Sequence, residues 1–343
     1  MRATTIHAPY DIRLSDVPDP TIDGPTDALV KVVASCICGS DLWPYRGENE
    51  ITPGSRIGHE FVGIVEEIGS DVRTVKPGDF VIAPFVISDG TCPHCLAGYQ
   101  SACENLVGFG SSRADGCQGE YVKLPYADGT LVATPEPPDD SLVPSLLTLS
   151  DVMGTGWHAA RAARVKPGDT VVVVGDGAVG LCGVLAASRM GAERVVALSR
   201  HEPRQKLALE FGATDIIAER GDAARDAVLE LTGGVGADAV LECVGTGQAM
   251  TTAFDVARPG ATVGFVGVPH GVDVPIGTMF RRNVGLAGGM APVRAYLPEL
   301  MADVLAGEIN PGLVFDSELP LAEVVEGYNA MHERRAIKVL LRP

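Results

Sequence analysis

Val171-Val172-Val173-Val174-Gly175-Asp176-Gly177-Ala178-Val179-Gly180 is the stretch whose reading decides the fold. Four valines in a row are apolar on both faces, as a strand buried in a parallel sheet must be. The glycines follow at G-x-G-x-x-G spacing, and residues 181–190 then read as a helix. In that strand–turn–helix context each glycine has a mechanical task. Gly175 makes the turn, Gly177 lets backbone approach a pyrophosphate, and Gly180 packs helix on strand. Ala178 and Val179 stand between the second and third glycines, leading into the helix whose N-terminus holds the phosphate charge. A dinucleotide cofactor is implied.

Downstream, Val195-Val196-Ala197-Leu198, Ile216-Ile217, Ala239-Val240-Leu241 and Thr262-Val263-Gly264-Phe265-Val266 read as strands. They alternate with helical stretches over 203–211, 222–231 and 249–257, which spells a doubly wound parallel α/β sheet. Upstream, the first 150 residues read as short strands, such as 28–33, 61–68 and 80–82, separated by Gly and Pro turns. That pattern suits a β-rich barrel or sandwich. A helix is expected over 145–163, where the pattern changes. From about Gly289 the alternation fades into helices over 297–306 and 322–331 and a last strand, Lys338-Val339-Leu340-Leu341. Periodicity alone assigns this tail to either domain.

The end of the second parallel strand bears on the cofactor. A unit binding NAD usually places Asp or Glu there to hold the ribose 2′-hydroxyl. This chain has Leu198-Ser199-Arg200-His201, with no carboxylate. A small hydroxyl followed by Arg suits a 2′-phosphate, and Arg204 could add to it. NADP is favoured over NAD.

The bulk composition excludes several classes. A net charge of −17, from 27 basic and 44 acidic residues, argues against nucleic acid and anionic membrane surfaces as partners. Residues 1–16 carry charges throughout and no apolar signal core, and no apolar run reaches the roughly 18 residues of a membrane span. A cytoplasmic protein of two domains is expected. In a reducing compartment, clustered cysteines point to metal thiolates before disulfides.

Two constellations carry metal chemistry. Asp89-x2-Cys92-x2-Cys95-x7-Cys103 has the close thiolate spacing of a closed structural zinc site, with Asp89 as fourth donor and His94 as its competitor. Cys38-Gly39-Ser40-Asp41 and Gly58-His59-Glu60 bring one thiolate and one imidazole together, each beside an acid. Zinc accepts those donors, and a catalytic zinc keeps one position open. An isolated Cys and His are also ordinary packing residues.

Taken together and in this order, these motifs resemble the zinc-dependent alcohol dehydrogenases of the medium-chain dehydrogenase/reductase superfamily. The resemblance runs over nearly the whole chain. It implies a GroES-like catalytic domain over 1–148, completed by 289–343, and a Rossmann-type dinucleotide domain over 149–288. Cys38, His59 and Asp151 match the catalytic zinc ligands, and Asp89, Cys92, Cys95 and Cys103 the structural ones, making two zinc ions per chain. Glu60 matches a carboxylate beside the catalytic zinc, and Asp41 the residue that orients the ligand histidine. Ser40 matches the hydroxyl that takes the substrate proton. Many members pass that proton to a histidine three residues on, where this chain has Trp43. Thr155 matches a nicotinamide contact and Lys338 a pyrophosphate contact. Val244, Val266 and Val268 complete the expected cofactor contacts, and Trp43 and Phe85 fall at positions lining the substrate pocket.

The implied reaction is hydride transfer between a nicotinamide cofactor and a small alcohol or carbonyl, in a homodimer or homotetramer. A zinc-free enone or quinone reductase on the same scaffold, or a non-catalytic NADP-binding protein, are the rival readings.

Overall fold

The computed structural model describes residues 1–343 without interruption. In it the four valines lie in the strand Thr170–Val174, with Val171, Val172 and Val173 each 0% exposed. All its neighbours are parallel. The sheet runs Asp215–Ile217, Arg194–Leu198, Thr170–Val174, Ala237–Glu242, Ala257–Phe265 and Gly285–Gly288. The chain thus starts mid-sheet, works outward through three strands, then returns to the other side. Thr170–Val174 and Ala237–Glu242 flank the reversal, where an open sheet of this kind takes ligands.

Small residues set the packing of this unit. The helix Ala178–Arg189 leaves Thr170–Val174 directly through the glycine loop. A Cβ on Gly180 would run into the Gly175 carbonyl, so only glycine lets the helix start there. Gly175 itself has φ +116°, a left-handed backbone that glycine adopts without strain. The last strand, Gly285-Leu286-Ala287-Gly288, and the helix Ile276–Arg282 before it escape sequence reading. That strand contains no β-branched residue, so its pairing with Ala257–Phe265 is what makes it a strand.

The other unit joins Met1–Asp151 to Pro292–Pro343. Its main sheet runs Val132–Ala133, Phe80–Ala83, Phe61–Ile68, Ala28–Cys36, Lys338–Arg342 and Phe315–Pro320, with Tyr121–Leu124 also paired to Ala28–Cys36. Arg2–Ala8, Asp11–Asp16 and Ser55–Arg56 form a smaller sheet. The C-terminal strand is therefore internal. Leu340 stands opposite Cys36 and Leu341 opposite Ser35. Val339, Leu340 and Leu341 are each 0% exposed, which resolves the ambiguity of the tail in favour of the β-rich unit.

The helix expected over 145–163 is two helices, Val143–Thr148 and Val152–Ala162, broken at 149–151. Two hydroxyls cause the break by competing for helix carbonyls. Thr148 Oγ1 donates to Ser145 O at 2.6 Å and Ser150 Oγ to Leu147 O at 2.6 Å. Phe85 N–H then donates to Ser150 O at 2.9 Å and holds the break to the β-rich unit. The units accordingly divide after 151 and 291, where 148 and 288 were expected, and Asp151 stays in one unit with Cys38 and His59. No helix is long and apolar enough to cross a membrane.

Because Leu340 is fully buried on an internal strand, Leu340→Ala should cost about 2–5 kcal/mol. A urea denaturation midpoint equal to wild type would remove the strand from the core.

Candidate metal centres and cofactor site

Two groups of side chains bring one ligand atom each to within 4.8 Å of one another: Asp89, Cys92, Cys95 and Cys103, and Cys38, His59, Glu60 and Asp151. The first is built almost wholly from local turns. Cys92 caps the short helix Pro93–Leu96, so Cys95 follows one turn later, and the turn Gln100–Ala102 returns the chain to Cys103. Cys92 Sγ and Cys103 Sγ are 3.9 Å apart. Bonds of about 2.3 Å to a tetrahedral zinc place sulfurs about 3.8 Å apart, so the spacing fits the ion. Backbone N–H groups of Asp89 and Asn105 donate to Cys103 Sγ, each at 3.3 Å.

The Asp89 carboxylate is held by Thr91 N–H at 2.8 Å, Cys92 N–H at 3.0 Å and Asn105 Nδ2 at 2.8 Å. Burial pushes its pKa up, but these donors outweigh burial and hold it well below the usual range. Burial, with Cys92 and Cys103 beside it, pushes the Cys95 thiol up to about 12. A cation taking the proton's place relieves that crowding. His94 is 57% exposed and lies 3.9 Å from Glu104, which leaves Asp89 as the fourth donor in the cluster. Asn105, which sequence reading passed over, is legible only once its amide is seen on Asp89.

The second group draws on three distant segments. Cys38 follows the strand Ala28–Cys36, and His59 and Glu60 directly precede its antiparallel neighbour Phe61–Ile68. Asp151 ends the break after Val143–Thr148. Asp151 Oδ2 lies 3.8 Å from both Cys38 Sγ and His59 Nε2. Tetrahedral zinc bonds of about 2.0–2.3 Å imply donor separations of about 3.3–3.8 Å. One thiolate and one carboxylate would also neutralise a dication, with the imidazole as neutral donor.

The surroundings orient these donors. Asp41 Oδ1 lies 3.4 Å from His59 Nδ1, leaving Nε2 to face Asp151. Asp41 Oδ2 in turn accepts from Cys38 N–H at 2.9 Å and Gln118 Nε2 at 3.1 Å. Tyr328 OH donates to Gln118 Oε1 at 3.1 Å. Neither Gln118 nor Tyr328 carries a ligand signal in sequence. Gly58 makes room for this arrangement: its φ is +100°, and a Cβ there would lie 2.5 Å from Gln118 Cγ. Burial pushes the His59 pKa down, but the charges of Asp41 and Cys38 outweigh it and hold it well above the ordinary value. Asp41, Glu60 and Asp151 bring three carboxylates to within 4.0 Å of His59, negative charge of the kind a cation site requires.

Glu60 and Lys338 lie behind the ligands. Lys338 Nζ donates to Glu60 Oε1 at 2.7 Å, with the side chains 1% and 0% exposed. Glu60 Oε2 is buried with no hydrogen-bond partner, and Oε1 is 4.0 Å from His59 Nε2. Lys338, expected at the pyrophosphate, here gives one of its three N–H donors to Glu60. Burial lowers its pKa, but Cys36, Glu60 and Cys38 more than compensate and keep it protonated. Ser40 is exposed, with Oγ 3.4 Å from His59 Nε2. Trp43 and Phe85 are half-buried, and Phe85 is tied to the residue before Asp151.

In the parallel-sheet unit, Gly177 caps the helix Ala178–Arg189 without a side-chain bond, and a Cβ there would meet no atom within 4 Å. That empty approach, at a helix N-terminus, fits a pyrophosphate. Val244 lies against Gly175, whose Cβ would stand 2.8 Å from Val244 Cγ2. Buried Glu242 shapes the turn beyond it, accepting from Val244 N–H at 2.9 Å and Gly245 N–H at 2.8 Å. Val266 is half-buried and Val268 exposed just after Ala257–Phe265, while Thr155 is buried in Val152–Ala162. Ser199 and Arg204 do converge, but on the Asp176 carboxylate, and only Arg200 stands exposed.

Residues 24–136 match the family model of the alcohol dehydrogenase GroES-like domain, and residues 178–306 that of the zinc-binding dehydrogenases. Zinc-type alcohol dehydrogenase B of Aspergillus flavus is 35% identical over 351 residues, covering 100% of this chain and 81% of the relative. The alcohol dehydrogenase TADH of Thermus sp. ATN1 superposes with a TM-score of 0.93 at 32% identity, covering 100% and 99% of the two chains. A zinc-binding dehydrogenase of Sinorhizobium meliloti bound to NADP has a TM-score of 0.83 at 29% identity, covering 100% and 99%. The chain belongs to the zinc-dependent alcohol dehydrogenases of the medium-chain superfamily. Its β-rich unit is GroES-like and its parallel sheet Rossmann-type, and it is a nicotinamide-dependent oxidoreductase.

Removing one partner of a buried ion pair typically costs about 3–5 kcal/mol. Lys338→Met should lose about that much in urea denaturation. Wild-type stability with weakened dinucleotide binding would instead return Lys338 to the pyrophosphate.

Proposed function

We propose that the chain is an NADP-preferring, zinc-dependent alcohol dehydrogenase or carbonyl reductase with one catalytic and one structural zinc per chain. The convergence of Cys38, His59 and Asp151 from three distant segments carries the reading. When bound, zinc supplies Lewis-acid polarisation of an alcohol or carbonyl oxygen, and nicotinamide supplies hydride exchange.

The chain's own residues do the rest. Cys38, His59 and Asp151 would hold the ion, and Asp89, Cys92, Cys95 and Cys103 the structural one. Asp41 takes the Nδ1 proton of His59 as a hydrogen bond, which keeps the Nε2 lone pair turned toward the donor cluster. Lys338 holds Glu60 Oε1 back and so favours an open position for substrate. Ser40 Oγ accepts the substrate hydroxyl proton while its own proton passes outward. Its exposure lets water take that proton, a route that suits Trp43 in place of a relay histidine.

Gly175, Gly177, Ala178, Val179 and Gly180 would cradle the pyrophosphate, with Val244, Val266, Val268 and Thr155 toward the nicotinamide. Ser199, Arg200 and Arg204 favour a 2′-phosphate, and the NADP-bound Sinorhizobium meliloti neighbour is consistent with that. Two copies pairing through the open edge strand Gly285–Gly288 would give the expected dimer or tetramer. The three unpaired cysteines of the Asp89 to Cys103 lobe suit a reducing cytoplasm.

Metal analysis of the purified enzyme should return two zinc ions per chain, and one, the structural ion alone, would favour a reductase without catalytic zinc. Ser40→Ala should lower kcat roughly a hundredfold or more while zinc content stays at wild-type level. An unimpaired variant would take Ser40 out of the mechanism. A panel of alcohols and carbonyls should give a higher kcat/KM with NADP than with NAD, and equal or inverted values would end the NADP preference.

A further inference from the structure

Asp176 occupies the second position of the glycine loop, where nothing in the G-x-G-x-x-G pattern calls for an acid. The fold gives it a task. From the end of Thr170–Val174 its side chain reaches the end of the parallel neighbour Arg194–Leu198. Its Oδ2 accepts from Ser199 Oγ at 2.9 Å, and its Oδ1 lies 3.3 Å from Arg204 Nη1. Arg204 Nη1 also donates to the Asp176 backbone carbonyl at 3.2 Å. Gln205 Nε2 donates to Ser199 O at 2.8 Å and fixes the same corner. The Asp176 and Arg204 side chains are each 15% exposed, so the pair is largely shielded from water.

Two of the three groups assigned to the 2′-phosphate are therefore already bonded to a carboxylate. A hydroxyl has a single proton to give, and Ser199 gives it to Asp176. A phosphate arriving there must displace that bond and share Arg204 with a negative neighbour. A ribose 2′-hydroxyl meets no such repulsion, and the carboxylate has lone pairs left to accept from it.

We propose that Asp176 is a specificity-determining residue that works against the 2′-phosphate by holding Ser199 and Arg204. The proposal rests on the cofactor site as read above and deepens it. The acid that such sites usually carry at the end of the second strand enters here from the first loop, and it tempers the NADP preference of Ser199, Arg200 and Arg204.

Equilibrium binding of 2′,5′-ADP and 5′-AMP to the zinc-loaded enzyme, followed by calorimetry, tests this without turnover. Asp176→Asn keeps the size and removes the charge. It should tighten 2′,5′-ADP binding about tenfold, the scale of one charge-assisted hydrogen bond. Binding of 5′-AMP should not tighten, because its ribose 2′-hydroxyl loses a charged acceptor. Arg204→Gln should weaken 2′,5′-ADP in both backgrounds. If the asparagine variant does not melt cooperatively, Asp176→Ser gives the same comparison. Unchanged or weaker 2′,5′-ADP binding in the charge-removed variant would overturn the proposal, because Asp176 would then be arranging Ser199 and Arg204 for the phosphate. A wild type that prefers NAD would defeat the NADP reading alone, leaving the effect of Asp176 to be judged by the shift.

Discussion

Lys338 Nζ and Glu60 Oε1 meet at 2.7 Å in a place water does not reach, and much of the β-rich unit follows from that contact. Taking either charge out of water costs several kcal/mol, so each needs the other. Glu60 leads into Phe61–Ile68, and Lys338 opens the C-terminal strand; both flank Ala28–Cys36 in the sheet. The pair can form only when the last strand is inserted. The same contact stands directly behind His59 and close to Cys38. The contact thus ties the C-terminal strand to the cluster of Cys38, His59 and Asp151 through residues 278 apart in sequence.

The two clusters of ligand-type side chains differ in how they are built. The thiolate lobe is made by consecutive short turns, with backbone N–H groups already aimed at Cys103 and the Asp89 carboxylate tied by three donors. Such a lobe needs little from the rest of the unit. The mixed site instead takes each donor from a different element. Its order comes from buried hydrogen bonds running from Tyr328 through Gln118 to Asp41, whose Oδ1 lies 3.4 Å from His59 Nδ1. Its three mixed donors stand beside a fourth carboxylate that Lys338 restrains.

The parallel sheet applies an analogous economy to the dinucleotide. Adjacent parallel strands end side by side, so the loops after Thr170–Val174 and Arg194–Leu198 must face each other. The first supplies the glycines and Asp176, the second Ser199 and Arg204. A charge that would ordinarily be sought on one loop can then come from the other.

Features carried by contiguous residues were legible in the sequence. Strand and helix alternation, the glycine turn and the Asp89 to Cys103 spacing need only local periodicity and short loops to be recognised. The resemblance added Asp151, Ser40 and the membership of the tail. Tertiary structure decided what depends on distances between remote residues. It split the helix at 149–151, because hydroxyls competed with helix bonds and Phe85 held the break. It turned Lys338 to Glu60, put Gln118 behind Asp41, and made a strand of Gly285–Gly288. Above all, the second-strand end read as lacking an acid has one in space. Asp176 lies 23 residues before Ser199, and only the pairing of two parallel strands brings its carboxylate there.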